Sequence, residues 1–229
     1  MAKAPRAGQV KTRLCPPLLP AEAAALYRCF LLDKIAAVGA LAETQPVIAY
    51  TPDDARAEFT ALAPGFALVA QHGPDLGARL QATLASLLAA GHAGAIAVDS
   101  DTPTLPGAFL QQAVDRLTRP GPDVVLGPTE DGGYYLIGVR VAHRELFEGV
   151  PWSTSDVLHV TLRRAAAAGL HAACLPPWFD VYTAGDLERL QSALASDGAA
   201  TTAWQTGRFL ASWRPQCEMS RRRVEPEES

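Results

Sequence analysis

The chain has 229 residues, 48% hydrophobic and 19% charged, with a formal net charge of −4. That apolar share supports a sizeable core and excludes a wholly disordered chain, and the length fits one α/β domain. The charge excludes a general nucleic-acid footprint, and no apolar run reaches the roughly 18 residues of a membrane span. In chain order, Pro20 opens a helical pattern over residues 20–39 that stops near Gly39; Glu22, Arg28, Asp33 and Lys34 interrupt it too often for a signal-peptide core. Residues 45–51 read as a strand, 53–62 as a helix and 66–70 as a short strand. Residues 76–90 form a helix ended by Gly91, and 95–98 a buried strand bounded by Asp99. A helix over 106–117 precedes two strands, 123–126 and 134–139, around a Gly-rich turn. A helix over 155–168 is followed by extended chain to Phe179. Thr183 and Asp186 have capping-box spacing for a helix to about Ser196, and 199–212 form the last helix. The alternation predicts a single α/β domain over 1–213, with a mostly parallel sheet and one antiparallel excursion. Residues 214–229 read as a disordered tail.

The absences narrow the chemistry. Cys15, Cys29, Cys174 and Cys217 form no C-x-x-C pair and read as apolar filler in a reducing, cytoplasmic setting. The five histidines are scattered, and neither H-E-x-x-H nor G-x-S-x-G occurs, which removes the usual support for zinc or serine hydrolysis.

The strongest positive signal is N-terminal. Lys3, Arg6, Lys11 and Arg13 fall within eleven residues, before any acid, in a chain with only three lysines. Pro5 and Gly8 mark a loop whose backbone amides can approach an anion, and mixed Lys and Arg suit a polyphosphate. A flexible basic start explains the same composition. Asp99 and Asp101 follow a strand, where open α/β sheets bind ligands, and two such carboxylates suit Mg²⁺ or Mn²⁺. Capping by Asp101 or Thr104 of the helix at Pro106 is the structural alternative. Gln71 and Gly77 flank a strand-to-helix loop that could face a base. Asp131, Gly132 and Tyr134 sit in a hairpin-like turn with more chemistry than a turn needs. Trp152-Ser153-Thr154 and Asp180 read, in isolation, as structural, with Ser153 or Thr154 capping the next helix.

Taken in order, the segments K-x-P-x-x-G-x-V-K-T-R-L, Q-x-G-x-D-L-G-x-R, D-S-D-x-P-x-L, G-P-x-x-D-G-G-Y-Y-L, W-S-T and D-V-x-T-x-x-D-L, spanning about Lys3 to Leu187, resemble a bacterial GT-A-fold glycosyltransferase-like family. That family is also called selenodomain-associated transferase 1, of the nucleotide-diphospho-sugar transferase superfamily. Its relatives include 2-phospholactate and molybdenum cofactor guanylyltransferases. The resemblance implies a Rossmann-like GT-A fold with helices on both faces, a nucleotide substrate and a divalent metal, Mg²⁺ or Mn²⁺. It implies that Lys3, Arg6, Gly8, Lys11 and Arg13 meet the phosphates and that Gln71 and Gly77 lie near the base. Asp99, Asp101 and Asp180 would hold the metal, and Asp131, Gly132, Tyr134 and Trp152 would face the acceptor. Two departures stand out. The family pattern has an apolar strand before the cationic loop, where this sequence has only Met1 and Ala2, so the resemblance implies an unfilled sheet position and a start upstream of Met1. Tyr182 stands where the pattern commonly has a second Asp.

These readings predict a metal-dependent nucleotidyltransferase, with Lys11, Arg13 and Asp101 catalytic, that moves an NMP group from an NTP to a small phosphorylated or carboxylated acceptor. Glycosyl transfer from a nucleotide-sugar and non-catalytic nucleotide binding are the alternatives. No nucleic-acid or membrane partner is predicted.

Overall fold

The computed structural model describes residues 1–195 and 202–214. The strands are β1 (Ala2–Lys3), β2 (Val47–Thr51), β3 (Ala67–Ala70), β4 (Ala95–Val98), β5 (Val124–Pro128), β6 (Tyr134–Val139) and β7 (Ala172–Cys174). The helices are α1 (Pro20–Gly39), α2 (Arg56–Leu62), α3 (Leu76–Ala89), α4 (Gly107–Thr118), α5 (Val157–Ala167), α6 (Ala184–Leu194) and α7 (Trp204–Ser212), with single 3₁₀ turns at Thr12–Leu14, Asp53–Ala55 and Arg144–Leu146. The predicted tail and Cys217 lie outside the described residues, as do residues 199–201 of the last predicted helix. None of the described helices is long and apolar enough to cross a membrane.

The strands form two sheets. One has the order β1-β2-β3 with both pairings parallel. The other has the order β4-β6-β5-β7, in which β6 runs antiparallel to both its neighbours and β7 is parallel to β5. The excursion predicted around residues 123–139 is therefore β6. It lies between β4 and β5 because a short turn through Gly132 returns the chain beside β5.

A backbone contact joins the two sheets near the start of β1. The Met1 amine donates to the Val98 carbonyl at 2.8 Å, where β1 meets β4. Behind that contact is an apolar cavity of about 350 Å³. Val47 and Ile48 of β2 line one side, Ile96 and Ala97 of β4 the other, and Val38 and Leu84 come from the flanking helices.

The core follows this division. Leu26, Phe30 and Leu31 of α1 pack with Ile48, Tyr50, Phe59, Leu187 and Leu190. Leu80, Leu84, Leu126, Ile137 and Leu146 form a second cluster under α3 and α5. Leu110, Leu117, Val125 and Leu136 form a third under α4. The capping box of α6 is present: the Thr183 hydroxyl accepts from the Asp186 amide, and Asp186 Oδ2 accepts from the Thr183 amide at 2.7 Å. The caps suggested for α4 are not made. Pro106 takes the N-cap position without a side-chain bond, so Asp101 and Thr104 do not cap the helix. Nor does Ser153 or Thr154 cap α5: Asp156 takes the N-cap position without a side-chain bond, and the Thr154 hydroxyl only accepts from the Asp156 amide at 3.3 Å, within the preceding turn.

Candidate functional site

Three loops converge at the carboxyl ends of β1 and β4: residues 4–14, 99–105 and 178–182. The first is anchored by Ala4, Val10 and Leu14, all buried. Gly8 (φ 72°) and Lys11 (φ 49°) are both left-handed there. That conformation is ordinary for glycine and strained for lysine, so the surroundings must hold Lys11 in place. They do so tightly. Its Nζ lies 2.6 Å from Asp101 Oδ1 and donates to the Val181 carbonyl at 2.6 Å. It also sits 4.8 Å from the centre of the Tyr182 ring and 5.2 Å from that of Phe30. The Lys11 side chain is only 4% exposed. Tyr182 donates its hydroxyl to the other oxygen of Asp101 at 3.2 Å, and the Val181 amide donates to the Asp101 carbonyl at 3.0 Å. Both carboxylate oxygens of Asp101 therefore have a partner. Burial, and then the nearby carboxylates, push the Tyr182 phenol well above its usual range, so it remains a donor.

Asp99 is held from beneath by residues that sequence reasoning missed. Lys34 projects from α1 and donates to both the carbonyl (2.9 Å) and the hydroxyl (2.8 Å) of Thr102. Thr102 in turn donates its hydroxyl to Asp99 Oδ1 at 2.6 Å, and the Lys34 ammonium lies 3.7 Å from that oxygen. Burial lowers the Lys34 ammonium pKa and raises that of Asp99, and the opposite charges partly offset both shifts. Tyr27, also unforeseen, ties two loops together: its hydroxyl meets Ser100 Oγ at 2.7 Å and accepts from the Lys3 amide. The available signals were a rare lysine, with Asp33, on the buried face of an otherwise apolar helix and a tyrosine on the same face; only the tertiary fold shows what they reach.

Asp180 faces Asp99 from the third loop. Burial, followed by the charge of Asp99, pushes its carboxyl up to about 9, with Asp131 and Asp101 adding to the repulsion. Asp131 is thus brought near the cluster, and it also closes its own turn, accepting from the Thr129 hydroxyl at 2.6 Å and the Gly133 amide at 3.0 Å. Gly132 (φ 91°) packs against the Ser155 carbonyl, where a Cβ would collide. Tyr134 meets Trp152 edge-on with ring centres 6.2 Å apart, and Trp152 packs on Gly77, which has no room for a side chain. The structure therefore joins Gly77, Tyr134 and Trp152 in one wall.

Other predicted phosphate and base residues have commitments of their own. Arg6 pairs with Asp54 and Glu58, which raise its pKa above the usual range. Gln71 Nε2 donates to the carbonyls of Ala2 and Ala49 and so fastens β1 to β2. Arg13 lies 5.8 Å from the centre of the Tyr182 ring, and the Lys3 side chain is exposed.

The carboxylates suit a hard divalent ion in donor type, being all oxygen and crowded enough to repel one another. Asp99 Oδ2 is buried and has no amide, hydroxyl or ammonium donor; its neighbour is the carboxyl of Asp180, which burial and the charge of Asp99 keep protonated, so the two carboxyls share a hydrogen bond that a divalent ion would replace. Among the described residues no three His, Cys, Asp or Glu side chains are already grouped as a metal-ligand set. Asp101 is instead engaged by Lys11 and Tyr182.

A parallel sheet beside a mixed one, with a cation–carboxylate cluster at their carboxyl ends, is the fold of the nucleotide-diphospho-sugar transferase type. A protein of Desulfovibrio desulfuricans G20, named as a candidate nucleotide-diphospho-sugar transferase, is 31% identical, with a TM-score of 0.84 over 99% of this chain and 96% of its own. The chain belongs to the DUF2064 family, described as an uncharacterized protein conserved in bacteria, whose profile matches residues 34–154. At the level of fold alone it is similar to CMP:2-keto-3-deoxy-manno-octonic acid synthetase complexed with CTP (12% identity, 72% of this chain and 87% of that one, TM-score 0.52). The same holds for a cytidylyltransferase from Leptospira borgpetersenii serovar Hardjo-bovis strain JB197 (11% identity, 87% of each chain, TM-score 0.52). No curated protein matches.

Proposed function

We propose that the chain is a nucleotidyltransferase of the selenodomain-associated transferase 1 kind, moving an NMP group from a nucleoside triphosphate to a small phosphorylated or carboxylated acceptor. The observation that carries this reading is the buried Lys11–Asp101 pair, which sits under a cationic loop at the carboxyl end of β4. An acceptor oxygen attacks the α-phosphorus, the bond to the β-phosphate bridging oxygen breaks, and pyrophosphate leaves with its charge. Lys11 and Arg13 are the cations of this chain nearest that charge, and they act by stabilising it. Asp99, Asp101 and Asp180 are the residues that would hold Mg²⁺ or Mn²⁺; when bound, such an ion neutralises phosphate oxygens. Gln71 serves the base side only by fastening β1 to β2, and the packed Gly77, Tyr134 and Trp152, with Asp131 and Gly132 nearby, are assigned to the acceptor side. The named activities of the structural neighbours support this class of chemistry.

The name of the 31% identical relative favours a second reading, transfer of a sugar from a nucleotide-sugar. Thermal-shift measurements with Mg²⁺ separate the two. A ligand at about 100 times its dissociation constant adds roughly 2.7 kcal/mol of stability. We expect triphosphates to stabilise more than nucleotide-sugars. The reverse order supports sugar transfer, and no shift with either ligand class overturns both. With an acceptor in hand, Lys11→Ala lowers pyrophosphate release on the order of 10³-fold; release at the parent rate removes Lys11 from the mechanism.

A further inference from the structure

We propose that Lys11 and Tyr182 form a latch on Asp101, which keeps the carboxylate from a divalent ion until nucleotide phosphates draw Lys11 away. The proposal rests on the nucleotide-binding reading above and adds an order of events to it. An aspartate ligand needs room and uncompensated charge at one oxygen, and here Oδ1 carries the Lys11 ammonium at 2.6 Å, which fills the space and offsets the charge, while Oδ2 carries the Tyr182 hydroxyl at 3.2 Å. The ammonium is caged as well, by the Val181 carbonyl and the faces of Tyr182 and Phe30. An ammonium and a divalent ion compete for the same anion, so Lys11 is an internal competitor.

Only Lys11 has a reason to leave. A polyphosphate arriving at the loop of residues 4–14 offers several anionic oxygens in place of one. The move takes the ammonium off Asp101 and delivers positive charge to the ligand in the same step. Asp99 has a different arrangement: Lys34 and Thr102 engage its Oδ1, and what it shares with Asp180 is a proton rather than a fixed cation. Of these carboxylates, Asp101 is the one that a side-chain cation holds directly. The free protein then takes a divalent ion poorly, and a nucleotide improves that affinity.

The test is Mn²⁺ binding, read from the electron paramagnetic resonance signal of free Mn²⁺, on the full chain with and without a non-hydrolysable triphosphate. Parent protein should bind Mn²⁺ at least tenfold more tightly with the analogue present. Without nucleotide, Lys11→Met should tighten Mn²⁺ binding about tenfold, and Tyr182→Phe, which frees one oxygen, about threefold. Adding Asp101→Asn to either variant should abolish the gain. Variants that fold, by circular dichroism, and bind Mn²⁺ no better than the parent overturn the latch. If Lys11→Met does not fold, Tyr182→Phe decides alone, and parent-like affinity there also overturns it. A triphosphate that causes no thermal shift sinks the functional reading instead, whereas tighter Mn²⁺ binding in the variants still establishes the competition at Asp101.

Discussion

Asp180 shows how a single residue reports the electrostatic state of the site. Burial, and then the charge of Asp99, raise its carboxyl from 3.8 to about 9. The folded protein therefore keeps a proton that the unfolded chain releases near pH 4. The stability linked to that proton is fully present below about pH 4, declines as pH rises, and levels off once the folded carboxyl ionises near 9. In metal-free buffer, Asp180→Asn should flatten the fall of Tm between pH 5 and pH 9; an unchanged fall would place Asp180 away from the other carboxylates. The site was legible in part at this scale. Lys11 stands out in a cluster of cations that no acid offsets, and Asp99 and Asp101 stand out after a strand, whereas Asp180 is pointed to only by the family resemblance. Lys34 does not stand out, because it reaches Asp99 by way of Thr102, 68 positions away, and Thr102, three residues after Asp99, looks in sequence like an ordinary loop threonine. Tyr182 was noticed as a departure, but that its hydroxyl reaches Asp101 depends on how two distant loops pack.

At the scale of elements, the sequence performed best where periodicity is strong and local. α1, α3, α4 and β6 fall within a residue or two of expectation, since their apolar spacing and flanking glycines or prolines act over a few residues. β7 is only three residues long and had read merely as extended chain, because its pairing with β5 is decided by the sheet. The start of α7 was equally hidden. Its first turn is capped from outside by Asp33 of α1, which accepts from the Gln205 amide (2.9 Å), the Thr206 amide (2.9 Å) and the Thr206 hydroxyl (2.6 Å). A buried carboxylate at a helix N-terminus satisfies orphan amides and complements the helix dipole. Replacing a capping side chain with alanine typically costs about 1 to 2 kcal/mol. Asp33→Ala should therefore lower the urea midpoint by an amount worth about 2 kcal/mol, with Asp33→Asn losing less because its amide still offers one acceptor. A loss below about 0.5 kcal/mol for alanine would show that α7 is held by apolar packing alone.

Across the whole molecule, the cavity between β2 and β4 decides how strongly the two sheets act as one. A partly open, mostly apolar pocket of about 350 Å³ lies there, along the free edge of β4. An empty apolar cavity forfeits the contacts its walls would make and weakens the core around it. The Met1 amine adds a pH-dependent weakness, because burial lowers it from 8.0 to about 6. Its stabilising contribution is complete above pH 8 and is lost as pH falls through about 6, when a buried charge must form. Joining five or six apolar, strand-forming residues ahead of Met1, so that both faces of the added strand are buried, should address both weaknesses. Each buried side chain contributes about 1.5 to 3 kcal/mol, against about 1 to 2 kcal/mol of backbone ordering per residue. The net gain should be a few kcal/mol, and for a chain of this size Tm rises by about 2 to 4 °C per kcal/mol. The extended protein should melt at least about 5 °C higher and lose the acid-sensitive component near pH 6, because an amide replaces the amine opposite Val98. An extension with proline at its central positions cannot complete the ladder and should give no rise. Equal melting temperatures for the two extensions would mean that the void does not accept a strand and that the sheets are coupled by the helices alone.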